Sequence, residues 1–589
     1  MWRTLLTHPS RGSRMAPRTL HSSALRSYSR TSPQIQPGAH DPKQAREKDR
    51  DLILKVMGTM PSPREARQFL SKFSPTTTTT TTTPAAPILS ATKKKGDTDF
   101  VDTLLWPTDH LALIKLEGPF EKENLTAIAN TLVQLQRLGL MSVVMLDNQT
   151  WWQDAAGGGG GLDQSAETRQ RMTKDMLELV EEIEKSGGKA RPVSEDIFEA
   201  PPHRRPGHDR IAQPQPQQHL EAPDEVTIRP GLCPIQSCLK LQQIPVMIPM
   251  ATTTSSHRIP VQSNEALVAL AKYMGGTVKR DPKGPASAGL HGPLVPMRLV
   301  VVNTTGGIPL TRNNGMDGPT HCFVNLKDEY STILDDLDHM DSISAPLAKS
   351  YRSDLDMIKE SLEHLPPTCS ALITSSPSLT LITNLITDKP LFSSTMRGQD
   401  PKVMLATTVL RSGLDIFTFR NSLEGLDLKR LQRLLESSFG KPMDAEGFYA
   451  RIQDRTKTVI LAGQDYMGAA IVTREGGTLR DPSQGESGGR LASVAYLDKF
   501  SVAPKSQGIG VADILWKKLT DEFPDLIWRS RSDNPVNKWY FDRADGNIKI
   551  PGTNWTVFWY GPQGLQLIRD YMHICRDIPA SFLPLKKTD

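Results

Sequence analysis

Arg529 and Arg531 stand one residue apart in the run Leu526-Ile527-Trp528-Arg529-Ser530-Arg531. In an extended strand such residues share a face. Two guanidinium forks on one face can bind carboxylates bidentately. The other reading is a solvated basic pair, and the apolar lead-in Leu526-Ile527-Trp528 weighs against it. A second unit of chemistry lies upstream, Ala503-Pro504-Lys505-Ser506-Gln507-Gly508-Ile509-Gly510-Val511-Ala512. It joins a strand-like run, Arg490–Val502, to a helical one, Val511–Phe523, in which Val511, Ile514, Leu515 and Leu519 recur on one face. A glycine-rich turn at a helix start leaves backbone N–H groups unpaired and adds the positive end of the helix dipole. Gly508 and Gly510 let the backbone approach a diphosphate closely. Glycines also occupy such turns for steric reasons alone, so the loop by itself names no ligand.

These residues need a scaffold, and the spacing of apolar residues predicts one. Leu428–Phe439 and Ala445–Ile452 read as helices, and Thr456–Ala462 and Tyr466–Thr473 as a hairpin about Gly463-Gln464. The strand Arg490–Val502, the helix Val511–Phe523 and strands at Leu526–Ser530 and Trp555–Tyr560 follow. Asn534 and Tyr540 fall after the arginine strand, on a turn and a short helix. Ahead of all this, strand-like runs (Ala112–Lys115, Ser142–Leu146, Val246–Met250, Arg298–Asn303) alternate with helix-like ones (Lys122–Leu138, Ser165–Lys185, Asn264–Tyr273). That alternation argues for an α/β domain with a mainly parallel sheet. Gly157–Gly161 and the Pro-, Gln- and His-rich Pro201–Pro223 read as flexible insertions. His203, His208 and His219 in the latter, and His257 beyond it, lack ligand spacing. Ser393–Pro401 reads as a hinge between two domains.

The 589 residues exceed one core and predict two to four domains at about 150 residues each. No apolar run approaches the ~18 residues of a membrane helix, so no membrane association is expected. Residues 1–40 hold six arginines, no lysine and no acid, so the net charge of +5 leaves 5 − 6 = −1 for the remainder. A nearly neutral body gives no reason to expect nucleic-acid binding. The Arg-, Ser- and Thr-rich start has the composition of a mitochondrial transit peptide, with Arg26-Ser27-Tyr28-Ser29 resembling a matrix-protease site. Helically spaced residues over Asp41–Phe73 and the threonine run Thr76–Thr83 read as a linker. Cys233, Cys238, Cys322, Cys369 and Cys575 form no metal-site or disulfide pattern.

The glycine loop resembles the acetyl-CoA loop of the GNAT acetyltransferases, Gln/Arg-x-x-Gly-x-Gly/Ala, with Lys505 at the first position. Phe439-Gly440-Lys441, Leu497-Asp498-Lys499-Phe500, Trp528-Arg529-Ser530-Arg531, Asn534-Pro535, Trp539-Tyr540-Phe541 and Phe558-Trp559-Tyr560-Gly561 resemble one branch, the N-acetylglutamate synthases of fungi and vertebrates. The front half resembles the amino-acid-kinase domain of the same family. The resemblance implies an α/β chain in which an N-terminal amino-acid-kinase-like αβα sandwich precedes a GNAT domain. The expected boundaries are a transit peptide over 1–45, a helical and low-complexity linker over 46–100, a regulatory kinase-like domain over 101–392 and the acetyltransferase over 400–578.

The activity so implied is acetyl transfer from acetyl-CoA to the α-amino group of L-glutamate, the entry step of arginine synthesis, in the mitochondrial matrix and without a metal. Phe500, Ser501, Val502, Gln507, Gly508, Ile509, Gly510, Val511 and Ala512 would hold acetyl-CoA. Leu431, Lys441, Phe500, Arg529, Arg531 and Asn534 would hold glutamate. Tyr540 would protonate the departing sulfur and Asn534 would orient the reactants. Asp498 is a candidate general base, through water, with a backbone carbonyl relay as the alternative. The resemblance further implies L-arginine as effector, a homo-oligomer and a complex with acetylglutamate kinase. In the front half, Lys115-Leu116-Glu117-Gly118 stands where related kinases carry Lys-x-Gly-Gly, and the acidic side chain would repel phosphate. Two other readings remain at this point: a noncatalytic arginine-sensing subunit, and an acetyltransferase for another amine.

Overall fold

The computed structural model describes residues 111–152, 162–194, 197–200, 225–229, 233–254, 256–276, 294–310, 320–340, 345–375, 407–476, 493–507 and 509–583. The transit segment 1–45, the linker 46–100, the Gly157–Gly161 and Pro201–Pro223 insertions, the Ser393–Pro401 hinge and Gly508 lie outside the described residues.

The front half is built on an eight-stranded sheet in the order β10-β12-β11-β9-β1-β2-β6-β3. Its centre is β1 (Leu111–Gly118), flanked in parallel by β2 (Met141–Asn148) and β9 (Arg298–Asn303). Every residue of β1 is buried, as a parallel strand covered on both faces requires. Helices α1 (Lys122–Arg137) and α2 (Leu162–Lys185) pack on each other and toward β2, β3 (Ala190–Val193) and β6 (Ile244–Met247). Residues of β1, β2, β9 and β11 (Ser370–Ser375) join one apolar cluster with α4 (Ser263–Met274), α5 (Leu326–Asp338) and α6 (Ala345–His364). β4 (Phe198–Ala200), β5 (Thr227–Ile228), β7 (Met250–Thr253) and β8 (Arg258–Pro260) form a small second sheet, and α3 (Cys233–Lys240) packs on β6.

One strand departs from the expected division at residue 400. β12 (Thr407–Arg411) pairs antiparallel with β11 and parallel with β10 (Phe323–Asn325), so the front sheet takes its last strand from the far side of the expected hinge. The run Thr407-Thr408-Val409-Leu410 is β-branched and apolar and is buried throughout. Its hydroxyls are satisfied inside the sheet: Thr407 bonds Thr374 at 3.0 Å, and Thr408 Oγ1 accepts from the Ile308 N–H at 2.8 Å.

The second sheet starts after four intervening residues, in the order β13-β14-β15-β16-β17-β19-β18. Its strands are β13 (Ile416–Arg420), β14 (Thr456–Ala462), β15 (Gly468–Glu475), β16 (Val494–Val502), β17 (Leu526–Arg531), β18 (Gly546–Lys549) and β19 (Trp555–Tyr560). Both helices foreseen before the hairpin form with side-chain caps. Asp427 accepts from the Arg430 N–H ahead of α7 (Leu428–Phe439), and Asp444 from Gly447 N–H ahead of α8 (Ala445–Ile452). They cover one face over β14 and β15. Helix α9 (Val511–Glu522) covers the other, burying Val511, Ile514, Leu515 and Leu519 as its spacing foretold. α10 (Asn537–Phe541) lies on the α9 side, and α11 (Ile568–Asp577) packs on β17 and β19 opposite.

Candidate functional site

The sheet opens at its centre. β16 and β17 run parallel, but the only register pair between them is Tyr496↔Ile527, near the start of both strands. Beyond it β16 stays paired to β15 as far as Gly468↔Val502. Along Leu497–Val502 the edge facing β17 therefore has no register partner among the described residues, and backbone groups there face the gap. A bulge accentuates the bend. Ile471 pairs with Lys499 and Val472 with Leu497, leaving Asp498 as the extra residue.

The glycine loop sits at the mouth of this opening. Pro504–Ser506 makes one 3-10 turn after β16. Gly510, at φ +85° and left-handed, is the N-cap of α9 and supplies no side-chain cap. A non-glycine residue would be strained at that angle. The first helical hydrogen bonds run from Asp513 and Ile514 N–H to the Gly510 carbonyl, so the Val511 and Ala512 amides point out of the helix start. Among the other expected cofactor residues, Gln507 is exposed, Ile509 and Ala512 are half-buried, and Ser501 and Val511 are buried. Phe500 and Val502 pack on the α9 side of the sheet.

The cations gather on the opposite face. Arg529 is half-buried and reaches the C-terminal end of α11: its guanidinium donates to the Cys575 carbonyl and to the Pro579 carbonyl (3.1 Å), and it lies 4.2 Å from the Trp555 ring centroid. Arg531 is exposed and pairs with Asp533 at 3.1 Å. Lys441 follows Gly440, the left-handed C-cap of α7, and is half-buried. Leu431 is fully buried between α7 and the sheet, so its side chain packs the core and the expected contact with an acceptor is left to its surroundings.

Sequence reasoning overlooked Lys499. Its side chain is buried at the bulge, 4.4 Å from the Phe448 ring centroid, donating to Asp498 and to Ser581 Oγ (3.2 Å). Burial first, and then Arg451 and Arg529, press its pKa well below the lysine range. The available signal was a lysine beside Asp498, set between Leu497 and Phe500.

The geometry gives Asp498 a part other than that of a free base. Its carboxylate is 2% exposed and is held by both Lys499 and Arg451. Arg451 also pairs with Glu475 at 2.8 Å, which Arg455 meets at 2.7 Å. Asp498 is thus the counter-ion of a buried cluster, and a carboxylate committed to two cations is a poor proton acceptor.

On the α9 side, Tyr540 lies in an aromatic cluster with Trp528 (5.5 Å), Trp539 (5.6 Å) and Phe558 (5.6 Å). Burial pushes its hydroxyl pKa up, which keeps the group protonated. Asn534 closes the turn after β17. Its Nδ2 donates to Ser530 Oγ at 2.9 Å and its Oδ1 accepts from Val536 N–H at 3.0 Å. Asn537, also unforeseen, ties α10 to β17 through the Arg531 carbonyl at 2.7 Å, and its buried Oδ1 finds no partner among the described residues.

In the front half, the Lys115 ammonium is buried and encircled by Asp354 (2.7 Å), Asp147 (3.1 Å) and Glu117 (3.7 Å). Three carboxylates around one ammonium leave an anionic surplus that repels phosphate. The acidic residue foreseen at Glu117 is one of the three.

Comparison with known proteins finds relatives along most of the chain. The family model of the N-acetyltransferase domain of N-acetylglutamate synthase matches residues 418–578. The mitochondrial amino-acid acetyltransferase of Laccaria bicolor is 33% identical over 87% of this chain and 92% of its own length. That of Coprinopsis cinerea is 32% identical over 89% of each. A solved N-acetylglutamate synthase from Neisseria gonorrhoeae, complexed with coenzyme A and N-acetyl-glutamate, aligns over 77% of this chain and 95% of its own at 14% identity and a TM-score of 0.44. With relatives of this identity matching nearly end to end, the chain belongs to the family of mitochondrial amino-acid acetyltransferases.

Proposed function

We propose that the acceptor is L-glutamate, acetylated on its α-amino group by acetyl-CoA in the mitochondrial matrix, with the front domain sensing L-arginine. The observation that carries this reading is the split between the two faces of the opened sheet. The outward amides of α9 lie at the C-terminal mouth of the opening, while Arg529, Lys499 and Lys441 lie on the face away from α9. A donor with a diphosphate suits the first and a dicarboxylic acceptor the second. The C-terminal family model is that of N-acetylglutamate synthase, which favours the same acceptor.

In this reading Phe500–Val502 and Gln507–Ala512 hold acetyl-CoA, with the thioester between β16 and β17 and its oxygen toward backbone N–H groups of Phe500–Val502. Arg529, Arg531 and Lys441, joined by Lys499, hold the glutamate carboxylates. The neutral amine attacks the thioester carbon and forms the C–N bond. The C–S bond then breaks and the sulfur takes the Tyr540 proton; of the two protons that the substrate ammonium sheds, one returns to Tyr540 and the other leaves, both through water and backbone carbonyls of β16. Asn534 holds the turn that sets Tyr540 against β17. The front domain, whose Lys115 is ringed by carboxylates, acts as the regulator. Assembly as a homo-oligomer and in a complex with acetylglutamate kinase extends the proposal, as does delivery to the matrix by residues 1–45.

The test is one assay. Purified mature protein is given acetyl-CoA and a panel of amino acids while released CoA thiol is followed, with and without arginine. Glutamate-selective release, lowered by arginine, is expected. Release with another amine, or none with any amino acid, overturns the proposal.

A further inference from the structure

Arg411 ends the front sheet, yet its side chain lies against the cofactor loop. The residue is 4% exposed. A Cβ built on Gly510 would stand 3.0 Å from both Cδ and Nε of Arg411 and 3.6 Å from its Cζ. Gly510 is therefore bare for two reasons: its left-handed backbone and the guanidinium stem beside it.

The strand that carries the arginine is paired on both sides. The partner of Arg411 in β10 is Asn325. The Asn325 side chain clasps the chain leaving β12, accepting from Leu414 N–H (3.1 Å) and donating to the Leu414 carbonyl (2.9 Å). The front half also grips α9 directly. Lys517 donates to the Phe323 carbonyl at 2.7 Å and pairs with Glu329 at 2.5 Å, and Lys518 pairs with Asp328 at 3.1 Å. Two elements of the front half thus fix the helix whose first amides face the loop, and a third delivers a buried cation to its cap.

A permanent charge in that place strengthens the partial charge of the helix start. Lys505, the loop's own cation, is exposed, so the buried guanidinium comes from Arg411. Resting on the reading that Phe500–Val502 and Gln507–Ala512 carry acetyl-CoA, we propose that Arg411 binds the cofactor's diphosphate. The acetyltransferase site is then completed across the boundary between the two sheets, and a shift of the front half reaches donor binding through a single side chain.

The test uses the full mature chain and two donors, acetyl-CoA and S-acetylpantetheine, which ends before the diphosphate. The readout is the ratio of kcat/KM for the first to that for the second. Arg411→Gln is expected to lower this ratio on the order of tenfold, the loss of one charge-assisted contact, and Arg411→Lys to lower it less. A ratio unchanged in both variants, or equal losses with the two donors, overturns the proposal. If Arg411→Gln does not fold, the Lys variant alone decides: its ratio must fall, with thermal stabilisation by CoA reduced in parallel. An unmutated chain that does not distinguish the donors overturns the cofactor reading itself, and this inference with it.

Discussion

Replacing Asp498 by Asn separates a structural counter-ion from a catalytic base. Among the described residues, Arg451, Arg455 and Lys499 share two carboxylates, Glu475 and Asp498. The substitution leaves Arg451 and Lys499 without their shared partner in a site from which water is largely excluded. Breaking a buried pair from one side costs about 3–5 kcal/mol. For a domain of this size that lowers the melting temperature by roughly 10 °C. The double variant Asp498→Asn/Lys499→Met removes one surplus cation and should recover more than half of the loss, a coupling that distant sites do not show. The assay is thermal melting of the two variants and the parent, with acetyl transfer followed from pH 6 to 9. A variant Asp498→Asn that melts with the parent, yet has lost turnover and the acidic limb of its pH profile, would refute the counter-ion argument and restore Asp498 as the base.

Tyr540→Phe should lower kcat on the order of a hundredfold, the scale of one acid–base group, with the KM for acetyl-CoA and the melting temperature nearly unchanged; steady-state kinetics checks this. Arg529→Lys keeps the charge but loses the fork that donates to the Pro579 carbonyl and the stack on Trp555. The KM for glutamate should rise on the order of tenfold without a matching change for acetyl-CoA. Asp354 bears on stability against pH. Burial, beyond the pull of Lys115 and with the push of Glu117, raises its pKa from 3.8 to about 7. The folded state then holds a proton that the unfolded state has released, so stability should fall as pH rises from about 4 to 7 and level off above that. Asp354→Asn should flatten this slope in urea titrations at pH 5 and 7.5, and an unchanged slope places its source elsewhere.

The sequence showed whatever depended on local periodicity. The buried face of α9 follows from Val511, Ile514, Leu515 and Leu519 alone, and the common face of Arg529 and Arg531 from strand alternation. The role of Asp498 was not legible for two reasons. Its partner Arg451 lies 47 residues away in sequence. The bulge at Asp498 also breaks the two-residue period from which facing is deduced, so that the side chains of Asp498 and Lys499 are buried together. Leu431 illustrates a different limit. A leucine on an amphipathic helix satisfies both a core and a pocket description, and only packing against Leu434, Leu435 and the sheet separates them. Strand β12 was missed because five residues carry no period of their own until β10 and β11 are present on either side.

The opening between β16 and β17 has a physical cause in side chains that no motif records. Parallel strands sharing one register pair would ordinarily zip together, since unpaired backbone groups are costly. Here bulky rings stand beneath the gap on the α9 side. Trp516 meets Trp528 edge-on at 5.4 Å and Trp539 at 5.4 Å, Phe500 of β16 meets Trp539 at 5.2 Å, and Trp528 of β17 stacks on Phe558 at 5.6 Å. Phe500 and Trp528 thus belong to the two diverging strands and both rest against Trp516 of α9. Closing the strands would require those rings to share the same volume, and overpacking of a filled core costs about 1–3 kcal/mol. The opposite face carries Lys499 and Arg529, whose mutual repulsion acts in the same direction. Apolar volume on one side and charged side chains on the other hold β16 and β17 apart beyond Tyr496 and Ile527.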